Sequence, residues 1–197
     1  MRTVKQPGPP ARPRLLSVAA ESGGELRLVL RAGDDLLHGL AAALTKAGVA
    51  SAAVSLAGGG FSRMQYLTGQ PCKDGSRVAS YGAPTVLEGP VTLLSGSAFL
   101  GLDETGKPIV HCHAVLIDNQ GKVHGGHLPP GVCKVGPQGV VAHVAAFAGA
   151  ALTVRHDAET NYPVFHPTAF DRAAAAPMKA APMKAAPMKA APMKAAQ

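Results

Sequence analysis

Only one segment of this 197-residue chain carries a helical apolar stripe: Leu36, Leu37, Leu40 and Leu44 fall at i, i+1, i+4 and i+8. Gly33-Asp34-Asp35 stands before it, where acids suit the first turn of a helix, and Gly48 supplies a stop. A helix is therefore predicted over about residues 34–47. The remaining apolar residues come in short runs cut by Gly, Pro and Asp, at 50–56, 61–67, 78–81, 91–99, 108–117, 140–147 and 152–156. Residues 15–19 and 25–30 read as a hairpin around Glu21-Ser22-Gly23-Gly24. One helix among many strands constrains the chain to an α+β fold with a mostly antiparallel β-sheet.

The two ends read differently from this middle. Residues 1–13 form a Pro-rich basic leader, expected to be flexible. From Ala175 to Lys194 the unit Ala-Ala-Pro-Met-Lys repeats four times. A proline every five residues stops a helix, and the unit has too little apolar surface to fold alone. Residues 173–197 are therefore expected to be a disordered basic tail, leaving 14–172 as one folded domain.

The formal charge of +7 sits in these ends. Residues 1–14 carry +4 from Arg2, Lys5, Arg12 and Arg14, and 173–197 carry +4 from Lys179, Lys184, Lys189 and Lys194, while the segment between nets −1. Any attraction to a phosphate backbone is thus weak, non-specific and confined to the ends. No run of about 18 apolar residues occurs, so no transmembrane helix is predicted. The first residues lack the apolar stretch of a signal peptide. Cys72, Cys112 and Cys133 form no CxxC pair and read as reduced thiols of a cytoplasmic protein.

The chemistry concentrates in 109–128. In an extended strand His111 and His113 project to one face and Cys112 to the other. Asp118-Asn119-Gln120-Gly121 then reads as a turn, and Gly125-Gly126 lets the backbone approach closely enough for His127 to swing back toward the pair. Neutral imidazole is a good ligand for zinc and similar ions, so His111, His113 and His127 are the candidate metal ligands. His124 is an extra candidate on the far side of the glycine pair. Cys112 is expected in the core, and Cys133, after Pro129-Pro130-Gly131, as a buried thiol within possible reach of the site. His38 reads as a surface or boundary residue, and His143, His156 and His166 have no partner at ligand spacing. Ser95-Gly96-Ser97 lacks a nucleophile-elbow pattern, and Gly58-Gly59-Gly60 lacks the Lys and Ser/Thr of a phosphate loop.

Several stretches, in order, resemble the plant and prokaryote conserved (PPC) domain, which bacterial proteins share with plant AT-hook nuclear proteins. They are 27–36 (Arg-Leu-Val-Leu-Arg-Ala-Gly-Asp-Asp-Leu), 53–59, Leu94-Ser95-Gly96-Ser97, the motif His111-Cys112-His113 … Asp118 … Gly121 … Gly125-Gly126-His127-Leu128, and the closing 155–160. The resemblance covers about 14–160. It implies a compact trimeric domain in a bacterial cytoplasmic or nucleoid-associated setting, with zinc held in some prokaryotic members by the residues matching His111, His113 and His127. Thr92 stands where prokaryotic members often carry an acid. Ala11-Arg12-Pro13-Arg14 is only a distant echo of Arg-Gly-Arg-Pro, so AT-hook minor-groove binding does not carry over.

Two functions compete. The first is a non-catalytic homotrimeric binding or regulatory module, metal-binding and loosely DNA-associated through its basic ends. The second is a zinc-dependent hydrolase or lyase, in which three His ligands leave a fourth position for water. That reading needs a general base, for which Glu88, Asp103, Glu104 and His124 are candidates. A closed four-ligand sphere would instead indicate a structural metal.

Overall fold

Helix α1 (Leu36–Lys46) buries the stripe that its sequence announces: Leu36, Leu37, Leu40 and Leu44 are all inaccessible to solvent or nearly so. The computed structural model describes residues 5–170; the repeat tail at 173–197 and the first four residues of the leader lie outside the described residues. The helix begins two residues later than 34 because the acids cap it rather than enter it. Asp35 is the N-cap and accepts from the His38 amide at 3.1 Å. Asp34 accepts from the Arg31 amide at 2.8 Å and closes the preceding turn.

Among the described residues ten strands accompany this helix: β1 (Glu21–Leu30), β2 (Ala52–Tyr66), β3 (Gly69–Gln70), β4 (Ser80–Tyr81), β5 (Thr85–Leu102), β6 (Pro108–Ile117), β7 (Val123–His127), β8 (Lys134–Ala148), β9 (Ala150–Asp157) and β10 (Tyr162–Ala169). The main sheet runs β1-β8-β2-β5-β6-β7 with every neighbour antiparallel. The β9–β10 hairpin joins it through one parallel contact, Leu102 with Thr153. β3 and β4 form a separate small ribbon. The expected α+β, mostly antiparallel architecture is thus what the chain adopts.

Three details depart from the sequence reading. Residues 15–19 are not a strand; β1 runs straight through Ser22-Gly23-Gly24 with a bulge and pairs with β8, about 120 residues away, instead of forming a local hairpin. The runs at 50–56 and 61–67 are one strand, because Gly58-Gly59-Gly60 forms bulges rather than a turn. A Cβ on Gly59 would lie 1.9 Å from the Gly139 carbonyl oxygen, so only glycine permits that approach. β10 escaped the pattern because Pro163, Pro167 and His166 break its apolar alternation; it pairs only with β9, and an edge strand tolerates proline.

The helix packs on β6 and, less extensively, β1. β6 alternates strictly, burying Val110, Cys112, Ala114 and Leu116 while turning Ile109, His111, His113 and Val115 to the other face. Below it lie Phe61, Met64, Leu93, Leu100 and Leu128, which complete one continuous core. Residues 8–14 lie against the β9–β10 turn. The Gly8 amide donates to the Glu159 carbonyl, the Ala11 amide to the Glu159 carboxylate at 2.7 Å, and Arg14 pairs with the same carboxylate at 2.5 Å.

Leu40 is fully buried at the centre of the only helix among the described residues. Leu40→Ala is predicted to cost about 2–5 kcal/mol, as large-to-small core changes do. Urea unfolding should show a lower midpoint with the slope unchanged; a loss under about 1 kcal/mol would contradict this packing.

Candidate metal centre

The site begins with strand periodicity. His111 and His113 leave β6 on the face opposite the core, and the β6–β7 register places His127 directly across from His113. Asp118 organises the turn between the strands: its carboxylate accepts from the Gln120 and Lys122 amides at 2.9 Å each. The same carboxylate takes His124 Nε2 at 2.8 Å, and His124 Nδ1 meets the Tyr66 hydroxyl at 3.0 Å. His124 pairs across from Leu116, on the core side, so it braces β7 and does not join the three imidazoles.

β7 is also held from its other flank. The His127 amide donates to the Leu67 carbonyl at 2.9 Å, and the Leu67 amide donates back at 2.8 Å. A Cβ at Gly126 would sit 2.4 Å from that Leu67 carbonyl oxygen. Gly126 therefore carries no side chain because β7 is sandwiched between β6 and the residue that follows β2.

The result is a cluster in which one ligand atom from each of His111, His113 and His127 lies within 4.8 Å of the other two. His111 Nε2 and His113 Nε2 are 3.1 Å apart, and the His111 and His127 rings stack at 4.7 Å. Tetrahedral zinc with bonds of about 2.0–2.1 Å wants nitrogens about 3.3 Å apart, so the cluster closes on an ion with side-chain shifts of about 1.5 Å or less. Burial, with the neighbouring His111 and His113, pulls the His127 pKa down to about 4. Burial and His113 lower that of His111 as well. Neutral imidazoles are the form that binds metal. His127 Nδ1 is buried with no hydrogen-bond partner. Donor type and spacing, with the lowered pKa values of His111 and His127, suit a divalent ion of the zinc kind.

The cysteines stand apart. Cys112 points into the core with its thiol pushed up to about 12 by burial, and Cys133 is buried with its thiol at about 11 for the same reason. Neither supplies a thiolate near neutral pH. Of the proposed bases, Glu88 pairs with Arg63 at 3.0 Å on the surface, and Asp103 is occupied within its own turn by Thr105 and Lys107. Glu104 is exposed in that turn. None of the three lines the space around the imidazoles.

That space is walled by residues the sequence reading did not single out. Tyr81 of β4 stacks on His127, with ring centroids 4.9 Å apart and planes at 15°. One cavity of about 490 Å³ lies between α1, β6 and the β9–β10 hairpin and reaches His111 and His127. A second, of about 390 Å³, lies under the 67–81 excursion and reaches His113 and His127; Tyr81, Tyr162 and Val164 line both. The excursion is tied down by the Val78 amide on the Thr160 carbonyl at 2.9 Å and by Asn161 Nδ2 on the Ser76 carbonyl at 2.6 Å. A compositional signal was available: the chain has only three tyrosines, and all three gather around β7.

Comparison with known proteins agrees with this architecture. The Plants and Prokaryotes Conserved (PCC) domain matches residues 18–146. A metal-containing protein of Archaeoglobus fulgidus superposes with TM-score 0.66 at 24% identity, covering 77% of this chain and 99% of that one. A plant- and prokaryote-conserved protein of Pyrococcus horikoshii gives 0.63 at 18% identity, covering 79% and 100%. A candidate DNA-binding protein of Ralstonia eutropha gives 0.57 at 22% identity, covering 71% and 89%. At these identities the likeness is one of fold. No curated protein matches the sequence.

The depressed His127 pKa has a consequence for stability. Between pH 6.5 and about 4 the unfolded chain holds a proton on this residue that the folded one refuses. Metal-free protein is therefore predicted to be fully stable, as far as this group is concerned, above pH 6.5 and to lose stability as pH falls through that window. His127→Gln should flatten the slope of chemical-denaturation stability against pH there; an unchanged slope would show that His127 titrates normally.

Proposed function

Because the chain belongs to the Plants and Prokaryotes Conserved domain family, we propose that it is a metal-binding module, using His111, His113 and His127 to hold a zinc ion. The observation that carries this reading is the cross-strand pairing of His113 with His127, which gathers three imidazoles within 4.8 Å. The likeness to a metal-containing archaeal protein supports it. When bound, zinc supplies a Lewis-acidic position that three protein ligands leave partly open. The chain's own residues do the rest: the Asp118–His124–Tyr66 brace fixes β7, and Tyr81 packs the outer side of His127.

The module works as a homotrimer that contacts DNA weakly through its basic ends. Leu94, Phe99, Ile109 and Val115 are exposed apolar side chains on β5 and β6, surface of the kind that subunit contacts cover. The near-neutral middle of the chain favours the ends as the DNA-contacting parts, and relatives of this fold described as candidate DNA-binding proteins support the association. A bacterial cytoplasmic setting, close to the nucleoid, accords with this; no helix among the described residues is long and apolar enough to cross a membrane.

A zinc-dependent hydrolase or lyase is the second reading, favoured by the cavities that open on the imidazoles. Their walls hold no carboxylate to serve as a base. Burial and the nearby Tyr162 raise the Tyr81 pKa, which makes that phenol a poor base too. Binding without chemistry is the better-supported role.

Two measurements test the proposal. Metal analysis of the full chain should find one zinc per chain, and His127→Ala should weaken zinc affinity by more than about 100-fold, since losing an outer-shell partner alone costs about 10–100-fold. A wild-type chain that takes up no zinc refutes the metal reading. Separately, the full chain should bind duplex DNA without sequence preference and lose that binding as salt rises. Deleting 1–13 and 173–197 should abolish it; binding that survives at physiological salt would place the contact elsewhere.

A further inference from the structure

The cavity between α1, β6 and the β9–β10 hairpin extends well beyond His111 and His127, the two proposed metal ligands that line it, and is built to a pattern. Its volume, about 490 Å³, falls within the range of small-molecule sites. Leu37 and Ala41 of α1 form one wall, Ile109 of β6 another, and Val164 and Phe165 of β10 a third. Apart from His38 on the α1 wall, which lies 3.4 Å from the Asp35 carboxylate, the polar groups gather at the histidine end, where His111, His127, Tyr81 and Tyr162 lie. An apolar body with polar groups at one end is the complement of an amphipathic small molecule.

We propose that this cavity binds a small aromatic or aliphatic monocarboxylate, its apolar body between α1, β6 and β10 and its carboxylate at the three-imidazole centre. The charge class follows from the walls. They carry no Lys or Arg, so a phosphate or a dicarboxylate would lack counter-charge at its second ionised group. They carry no Asp or Glu, so an organic cation would be unpaired. Three neutral imidazoles leave a divalent ion with its charge uncompensated, which one carboxylate offsets. Tyr81 and Tyr162 flank the polar end, and Phe165 lies within the cavity, so a flat ring gains stacking contacts that an alkyl chain does not. The inference rests on the metal-binding reading, since without the ion the carboxylate has no cation to meet.

The test uses the isotope-labelled full chain loaded with one zinc, titrated with 3-phenylpropionate and followed by amide chemical shifts. Shifts are expected at Leu37, Ala41, Ile109 and Phe165, which line the cavity. Acetate, which keeps only the head, and 3-phenylpropan-1-ol, which keeps only the body, should each bind at least about 10-fold more weakly. Val164→Trp, at a partly exposed edge-strand position, should weaken 3-phenylpropionate at least about 10-fold with zinc content unchanged. Should that variant lose its dispersed spectrum, Ala41→Phe narrows the same cavity from the helix side. If the zinc-loaded chain shows no cavity shifts with the acid, or the alcohol binds as tightly, the proposal is overturned while the metal reading stands. If the chain takes up no zinc, both fall together.

Discussion

The site depends on one close approach of backbone. β7 can lie between β6 and Leu67 only because Gly126 has no side chain to strike the Leu67 carbonyl oxygen, 2.4 Å from where a Cβ would stand. That approach forms two hydrogen bonds between His127 and Leu67 and fixes the register that sets His127 opposite His113. A slip of one residue would turn His127 to the core side and bring His124 outward. The Asp118–His124–Tyr66 bonds oppose such a slip, because His124 is satisfied only where it now stands. Two histidines three residues apart thus divide the work: one anchors the strand and the other is presented by it.

The same register extends across the sheet. Ser97 of β5 pairs with His113, Ser55 of β2 with Ser97, His143 of β8 with Ser55, and Arg27 of β1 with His143. Cross-strand partners share a face, so a polar row runs from β1 to the imidazoles on the side opposite the core. The adjoining row holds Ala145, Ala53, Phe99 and His111. Ser and Ala predominate in the middle of these two rows, and at the histidine end the β9–β10 hairpin and the 67–81 excursion build walls. Depth at this one end comes from elements outside the main sheet's path.

What was legible in the sequence follows from the range of the interaction concerned. The α1 stripe and the alternation of β6 are written in local periodicity, and both appear where expected, β6 to the residue. The meeting of His111, His113 and His127 was legible because it needs only a two-residue period, a short turn and a glycine pair. The β1–β8 pairing was not, since no local pattern encodes a partner about 120 residues away, and a nearby turn signal at Ser22-Gly23-Gly24 suggested a hairpin. Gly58-Gly59-Gly60 misled in the same way: glycine marks both turns and bulges, and only the partner strand tells which. Tyr81 was missed because it reaches His127 through a ribbon of two-residue strands with no periodicity to read.

The energetics of the cluster bear on its role. Two imidazole nitrogens 3.1 Å apart can share one proton as donor and acceptor, but the third ring has no such partner, and His127 Nδ1 is buried unpaired. An unsatisfied buried polar group costs about 1–3 kcal/mol, and desolvation at His127 already keeps its charged form away. A fold that needed these positions only for packing would do as well with apolar side chains, as β6 does on its other face with Val110, Cys112, Ala114 and Leu116. The cost is offset when something binds the folded state alone, by RT ln(1 + [L]/Kd). For a ligand at about 100 times its Kd that gain is about 2.7 kcal/mol, enough to cover the unpaired nitrogen. An ion bound at the three-histidine centre would therefore add to the stability of this domain, and the brace at His124 fixes the strand that presents His127 to it.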